Sequence, residues 1–188
     1  MKKFGITTSD YELVYPFKPG PIQIADVSEH VVMKKYCLSR KDMAKLDSHT
    51  ATTWFSWAGR LYLGGDCIAS FGQRYSNRYV RVSICNGVVT QVQLLSRNGR
   101  PRGKPWLFSL IHDSDGRLVG SFYRILWPNR LAKLTNHTVT TWLDQDGRLL
   151  LGGLVAGFGF KHGGKRVRAT LQNAIVTKVE FLTSTGSL

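Results

Sequence analysis

The chain repeats itself, and that repetition limits its architecture more than any other feature. SHTATTWFSWAGRLYLGG, beginning at Ser48, returns as NHTVTTWLDQDGRLLLGG, beginning at Asn136, with 11 of 18 positions identical at a shift of 88 residues. MAKL at Met43 matches LAKL at Leu131 at the same shift, and RYVRVSICNGVVTQVQLLS from Arg78 matches KRVRATLQNAIVTKVEFLT from Lys165 at a shift of 87. Self-similarity at this spacing predicts two copies of one supersecondary unit, too few for a solenoid. The expected organisation is an N-terminal arm (1–20), a first repeat (21–96), a basic linker (97–108) and a second repeat (109–188).

The positions kept between the copies define the fold class. Val80, Val82 and Ile84 answer Val167, Ala169 and Leu171, while Tyr79, Arg81 and Ser83 answer Arg166, Arg168 and Thr170. A period of two puts these sets on opposite faces of a half-buried strand. Asn86-Gly87 marks a hairpin turn into the next alternating run, and Asn173-Ala174 holds that place in the second copy. Residues 52–55 and 61–63 read as a further hairpin around Ala58-Gly59, and LIHDSDGRLVGSFYRIL reads as another around Asp115-Gly116. A short helix is expected over 40–46, N-capped by Ser39 with Asp42 at its third position, and a second over 128–134 opening on Pro128. The chain is therefore expected to be mainly β, a β-rich α+β arrangement of two tandem homologous small barrel-like or curved-sheet modules, each with one short helix. Such forms close or shorten exposed strand edges.

Charge narrows the partner. The 26 Lys and Arg against 12 Asp and Glu give a net charge of +14, and 43% hydrophobic residues supply a core, which excludes a disordered basic tail. Residues 1–95 carry +5 and residues 96–188 carry +9. The cations gather in equivalent loops, FGQRYSNRYVR from Phe71 and FGFKHGGKRVR from Phe158. The first offers Arg74, Tyr75, Arg78, Tyr79 and Arg81; the second offers Lys161, Lys165, Arg166 and Arg168; the linker adds Arg97, Arg100, Arg102, Lys104 and Trp106. Cations neutralise phosphates and release counterions, and interleaved aromatics stack on bases. The pattern points to a nucleic-acid-binding protein whose contacts are mainly to phosphate. With no helix-turn-helix, zinc-finger or RNA-recognition strand motif, DNA and RNA both stay open. The alternative is an interaction or inhibitor protein whose basic face meets an acidic protein.

The histidines are the candidates for catalysis. His49 and His137 head the repeated HTATTW and HTVTTW, and a pseudo-twofold pairing of them, or His112, would suit a phosphodiesterase or nuclease. Two-histidine phosphoesterases carry a hydroxyl residue two positions after each histidine, where this chain has Ala51 and Val139. A role in the helix-to-strand passage is the simpler reading. Gly64-Gly65 and Gly152-Gly153 match no phosphate-loop motif and read as tight bends. Trp54 and Trp142 recur with the framework and read as core anchors, whereas Trp57 and Trp106 read as surface-binding candidates. Asp113, Asp115, Asp144 and Asp146 flank turn glycines; at a shift of 88 their first-copy positions are Ala25, Val27, Ser56 and Ala58, so turn chemistry is expected rather than a metal site.

No cofactor is implied. Cys37, Cys67 and Cys85 lack metal-ligand spacing and read as buried thiols, which fits a cytoplasmic or other reducing compartment. Met1-Lys2-Lys3 is followed by no unbroken apolar stretch, and LLLGGLVAGFGF is too short and glycine-broken to span a membrane, so neither a cleaved signal nor a membrane span is expected.

Overall fold

The computed structural model describes residues 21–183. The expected arm (1–20) and the last five residues of the expected second repeat lie outside the described residues. The protein is mainly β. Its first sheet runs in the order β2-β1-β3-β6-β7-β8, from β1 (Ile22–Ala25), β2 (Val31–Lys35), β3 (His49–Trp54), β6 (Tyr79–Cys85), β7 (Val88–Leu94) and β8 (Trp106–Leu107). The second runs β10-β9-β11-β14-β15, from β9 (Ser109–Asp113), β10 (Leu118–Phe122), β11 (Asn136–Trp142), β14 (Arg166–Gln172) and β15 (Ile175–Phe181). Between β3 and β6 lie β4 (Arg60–Leu63) and β5 (Asp66–Ser70); between β11 and β14 lie β12 (Arg148–Leu150) and β13 (Leu154–Gly157). Each of these pairs forms a separate two-stranded ribbon. One short helix precedes the third strand of each sheet: α1 (Arg40–Ala44) and α2 (Pro128–Leu131). Among the described residues no helix is long and apolar enough to cross a membrane.

Of the barrel-like and curved-sheet forms expected, the structure takes the open one, and one expected hairpin changes. The sheets are open and do not close into barrels, and β3 does not pair with β4. The turn forms, with Ser56 N–H donating to the Arg60 carbonyl, but β3 pairs with β1 and β6 while β4 pairs only with β5. Burial explains this departure. Leu61 and Leu63 join Ile24, Ala51, Phe55, Val80, Val82 and Val92 in one core, together with Met43 and Leu46 from the helical segment. The ribbon and helix thus cover one face of the sheet, and a strand covering a face cannot also extend its edge. The second sheet repeats the arrangement with Leu149, Leu151, Val139, Val167, Ala169 and Leu171.

Local chemistry secures these elements. The Ser39–Asp42 capping box forms, and Trp127 holds the N-cap position of α2 without a side-chain bond, with Pro128 in its first turn, although α2 stops at Leu131. The glycine of each turn before β4 and β12 touches the chain beyond the ribbon. A Cβ on Gly59 would lie 1.9 Å from the Gly72 carbonyl oxygen, and one on Gly147 would lie 2.0 Å from that of Gly159. Phe71 N–H donates to Gly59 and Phe158 N–H to Gly147, so the contact clamps the ribbon to the basic loop that follows.

Strand register also realigns the repeat. Ile24 pairs with Ala51 as Ile111 pairs with Val139, so the first hairpins align at a shift of 87. Asp113 therefore corresponds to Asp26, not Ala25. Both carboxylates cap their own turns, Asp26 accepting from Ser28 and His30 N–H and Asp113 from Asp115 and Arg117 N–H.

Gly87 and Ala174 occupy the same turn position at φ 72° and 63°, with their N–H groups bonded to the Leu46 and Leu134 carbonyls. Ala174→Gly should raise unfolding free energy by about 0.5–1 kcal/mol, since a Cβ is strained at positive φ. Gly147→Ala should lower it by at least about 2 kcal/mol through backbone overlap. Urea unfolding of both variants checks the pair.

Candidate nucleic-acid interface

Covering one face of each sheet leaves a second face whose side chains follow from the same alternation. In β3, Ala51 and Thr53 are buried in the core, while Thr50 and Thr52 project oppositely and are half-buried. The pairings align Lys34, Gln23, Thr52, Arg81 and Gln93 in one row across β2, β1, β3, β6 and β7. At a strand spacing near 4.8 Å this row is about 19 Å long. It contains two cations and no carboxylate. Beside it Trp54 pairs with Tyr79, and Thr50 pairs with Ser83, which pairs with Gln91.

The second sheet aligns Ser121, Leu110, Thr140, Arg168 and Glu180 in the corresponding row. Its carboxylate is neutralised. Glu180 bonds Lys178 at 2.7 Å, and Lys178, then Arg168, hold its pKa below the ordinary value. Trp142 pairs with Arg166, whose guanidinium lies 5.7 Å from the ring centroid. Trp54 is half-buried and packs against the first core, and Trp142 is half-buried in the second sheet. The fully buried positions fall one residue later, at Phe55 and Leu143.

The basic loops lead directly into these faces. Arg74 is exposed on the single 3-10 turn Gln73–Tyr75, and Lys161 on Phe160–His162. Arg78 and Lys165 are exposed just before β6 and β14, and their carbonyls accept from Phe55 and Leu143 N–H. Tyr79, Arg81, Arg166 and Arg168 are half-buried on the open faces. Arg97, Arg100, Arg102 and Lys104 are exposed along a connector that is attached, not loose: Arg102 N–H donates to Leu94, and β8 pairs with β7.

Two aromatic candidates move into the structure. Trp106 lies 4.7 Å from Phe71, 5.2 Å from Tyr75 and 6.2 Å from Phe55, ring centroid to centroid. Pairing of β8 with β7 draws Trp106 over this cluster, so Trp106 and Tyr75 pack the first core's edge instead of offering free stacking surfaces. Tyr123, from the second sheet's hairpin, completes the cluster 4.7 Å from Phe71, and Ser121 Oγ donates to the Val89 carbonyl across the same junction. Trp57 is half-exposed. Cys37 and Cys67 are exposed rather than buried, the first in the loop before α1 and the second on a bulged ribbon; Cys85 is intermediate, and all three are free.

The histidines are not brought together as a dyad. His49 and His137 occupy the central strands of different sheets, opposite Ile84 and Leu171, and each has a buried Nδ1 without a hydrogen-bond partner. His112 lies on the open face opposite Thr138, where burial and then Arg168 push its pKa below the ordinary value, with Asp113 opposing. Asp144 and Asp146 are held by Arg148 at 2.8 and 2.9 Å. Among the described residues no three His, Cys, Asp or Glu side chains gather as metal ligands.

Reasoning from sequence found the cations of β6 and β14 but missed Lys34, Gln23, Thr50, Thr52, Gln91 and Gln93. The signal was present in HTATTW, whose alternation places two threonines beside its tryptophan. No family model, curated protein or solved structure matches this chain.

The direction of the His112 shift fixes a pH effect. Its lowered folded pKa makes the unfolded chain bind more protons, so this contribution is complete above the unfolded value near 6.5 and lost as pH falls through it. His112→Gln should flatten the fall in thermal midpoint between about pH 7 and pH 5. An unchanged slope would assign the effect to other groups.

Proposed function

We propose that this protein binds nucleic acid on the open faces of its two sheets and on the basic loops that feed them. The observation carrying the reading is the row Lys34, Gln23, Thr52, Arg81 and Gln93, cationic and hydrogen-bonding with no carboxylate, beside Trp54 and Tyr79. Arg81, Arg166 and Arg168 supply forked donors suited to phosphate, while threonine and glutamine side chains bond sugar, phosphate or base edges. The part-exposed rings of half-buried Trp and Tyr on a sheet can meet unpaired bases but cannot reach bases inside a duplex, which favours single strands. Two similar faces in one chain add avidity along a strand long enough to span both.

Binding to short single-stranded and duplex oligonucleotides, followed by fluorescence anisotropy, should show log affinity falling linearly with log salt. Arg81→Gln with Arg168→Gln should weaken binding and reduce the slope by about 2, whereas Lys41→Gln with Lys45→Gln, on the helical side, should change it little. Absent or salt-insensitive binding to DNA and RNA at low ionic strength overturns the reading. So does stoichiometric capture of an acidic protein by a chain that binds neither nucleic acid.

A further inference from the structure

Where β14 begins, the second sheet opens a cavity of about 650 Å³ lined by Trp142, His162, Lys165, Arg166, Phe181 and Leu182 among others. Among the described residues no carboxylate lines it. The volume falls within the roughly 300–1,000 Å³ typical of small-ligand sites. Two buried polar atoms in its wall, Arg166 Nε and His162 Nδ1, have no hydrogen-bond partner. Buried groups of this kind are rare in folded proteins, and a guanidinium N–H can only donate. The walls are aromatic: Phe181 lies 4.8 Å from the His162 ring, and the Arg166 guanidinium lies over Trp142. Burial, then Lys165 and Lys161, hold the His162 pKa below its ordinary value, which marks the wall as already cationic.

The first sheet treats the corresponding place differently. The counterparts of His162, Arg166 and Leu182 are Tyr75, Tyr79 and Leu95. Tyr75 packs against Trp106, Leu95 is buried and bridged to Pro101, and Arg102 N–H donates to the Leu94 carbonyl. There the connector covers the wall and the positive charge of Arg166 is replaced by a phenol.

We propose that the cavity at Trp142, Lys165, Arg166 and Phe181 binds one unpaired nucleotide of a single strand, its phosphate on Lys165 and Arg166 and its base against Trp142 and Phe181. This rests on the nucleic-acid reading and adds a defined subsite to it. Phosphate alone satisfies the cations and leaves the aromatic wall bare; a nucleoside alone does the reverse; only a nucleotide meets both. A base stacked within a duplex cannot enter, so the cavity favours single strands.

Isothermal titration of the full chain with UMP, uridine and inorganic phosphate tests the subsite, alongside anisotropy with single-stranded and duplex oligonucleotides. UMP should bind at least about tenfold more tightly than uridine or phosphate. Lys165→Gln, at an exposed position, and Trp142→Leu should each weaken UMP binding several-fold, with thermal melts showing that both variants fold. The preference for single strand over duplex should fall towards parity in Trp142→Leu. UMP binding no better than phosphate, or unchanged in both variants, overturns the subsite. If UMP fails while oligonucleotides still bind with a steep salt slope, the subsite falls and the broader reading stands; if neither binds, both fall.

Discussion

A sheet covered on one side only must be apolar on that side and polar on the other, and the rest of this structure follows from that constraint. The ribbon of β4 and β5 and the helix α1 bury one face of the first sheet against Leu61, Leu63 and Met43. The central strands β3 and β6 then alternate, whereas in β11 Val139, Thr140 and Thr141 are all buried. Ala51 and Val82 go inward, and Thr52 and Arg81 come out side by side. The polar surface is the complement of the core, built by the same residues' neighbours. The clamp between Gly59 and Gly72 keeps the ribbon in place and sets where the basic loop begins.

The two sheets share this plan and use it unequally. The connector adds β8 to the first sheet and seats Trp106 among Phe55, Phe71 and Tyr75, so that edge is packed. In the second sheet Phe181, on β15 itself, lies 5.3 Å from Phe158, and a cavity remains beside Arg166. Substitution of Tyr79 by Arg166 at the equivalent place converts an aromatic pair with tryptophan into a cation–aromatic pair. Charge follows: the second half of the chain carries +9 and the first +5. The first sheet sets Lys34 and Arg81 in one row without a carboxylate; the second sets Arg166 beside a recess and Arg168 beside Glu180.

Much of this was legible beforehand because it depends on neighbours in sequence. Alternation in β6 and β14, the turn at Asn86-Gly87, the Ser39 cap and Pro128 opening α2 all reflect interactions within a few residues. Legibility ended where distant segments compete for one place. Residues 52–55 and 61–63 flank a sound turn, yet pairing them would have left Leu61 and Leu63 outside the core. Trp106 has the sequence surroundings of an exposed linker aromatic, but its neighbours in space, Phe55, Phe71 and Tyr75, lie 31 to 51 residues earlier in the chain. The repeat comparison misplaced Asp113 by one residue because an insertion after the hairpin is invisible until strand register is known.

By itself the sequence determined that this is a β-rich chain in two similar parts, strongly cationic, with its cations on alternating strand positions and in equivalent loops. Those properties are periodic or additive and need no knowledge of distant contacts. Only the tertiary structure decided that the sheets stay open, that Trp54 and Trp142 are half-buried while Phe55 and Leu143 are fully buried, and that Trp106 is packed while Arg166 borders a cavity. Each of those outcomes turns on which segment covers which surface, a competition settled by burial across the whole fold rather than by any local run of residues.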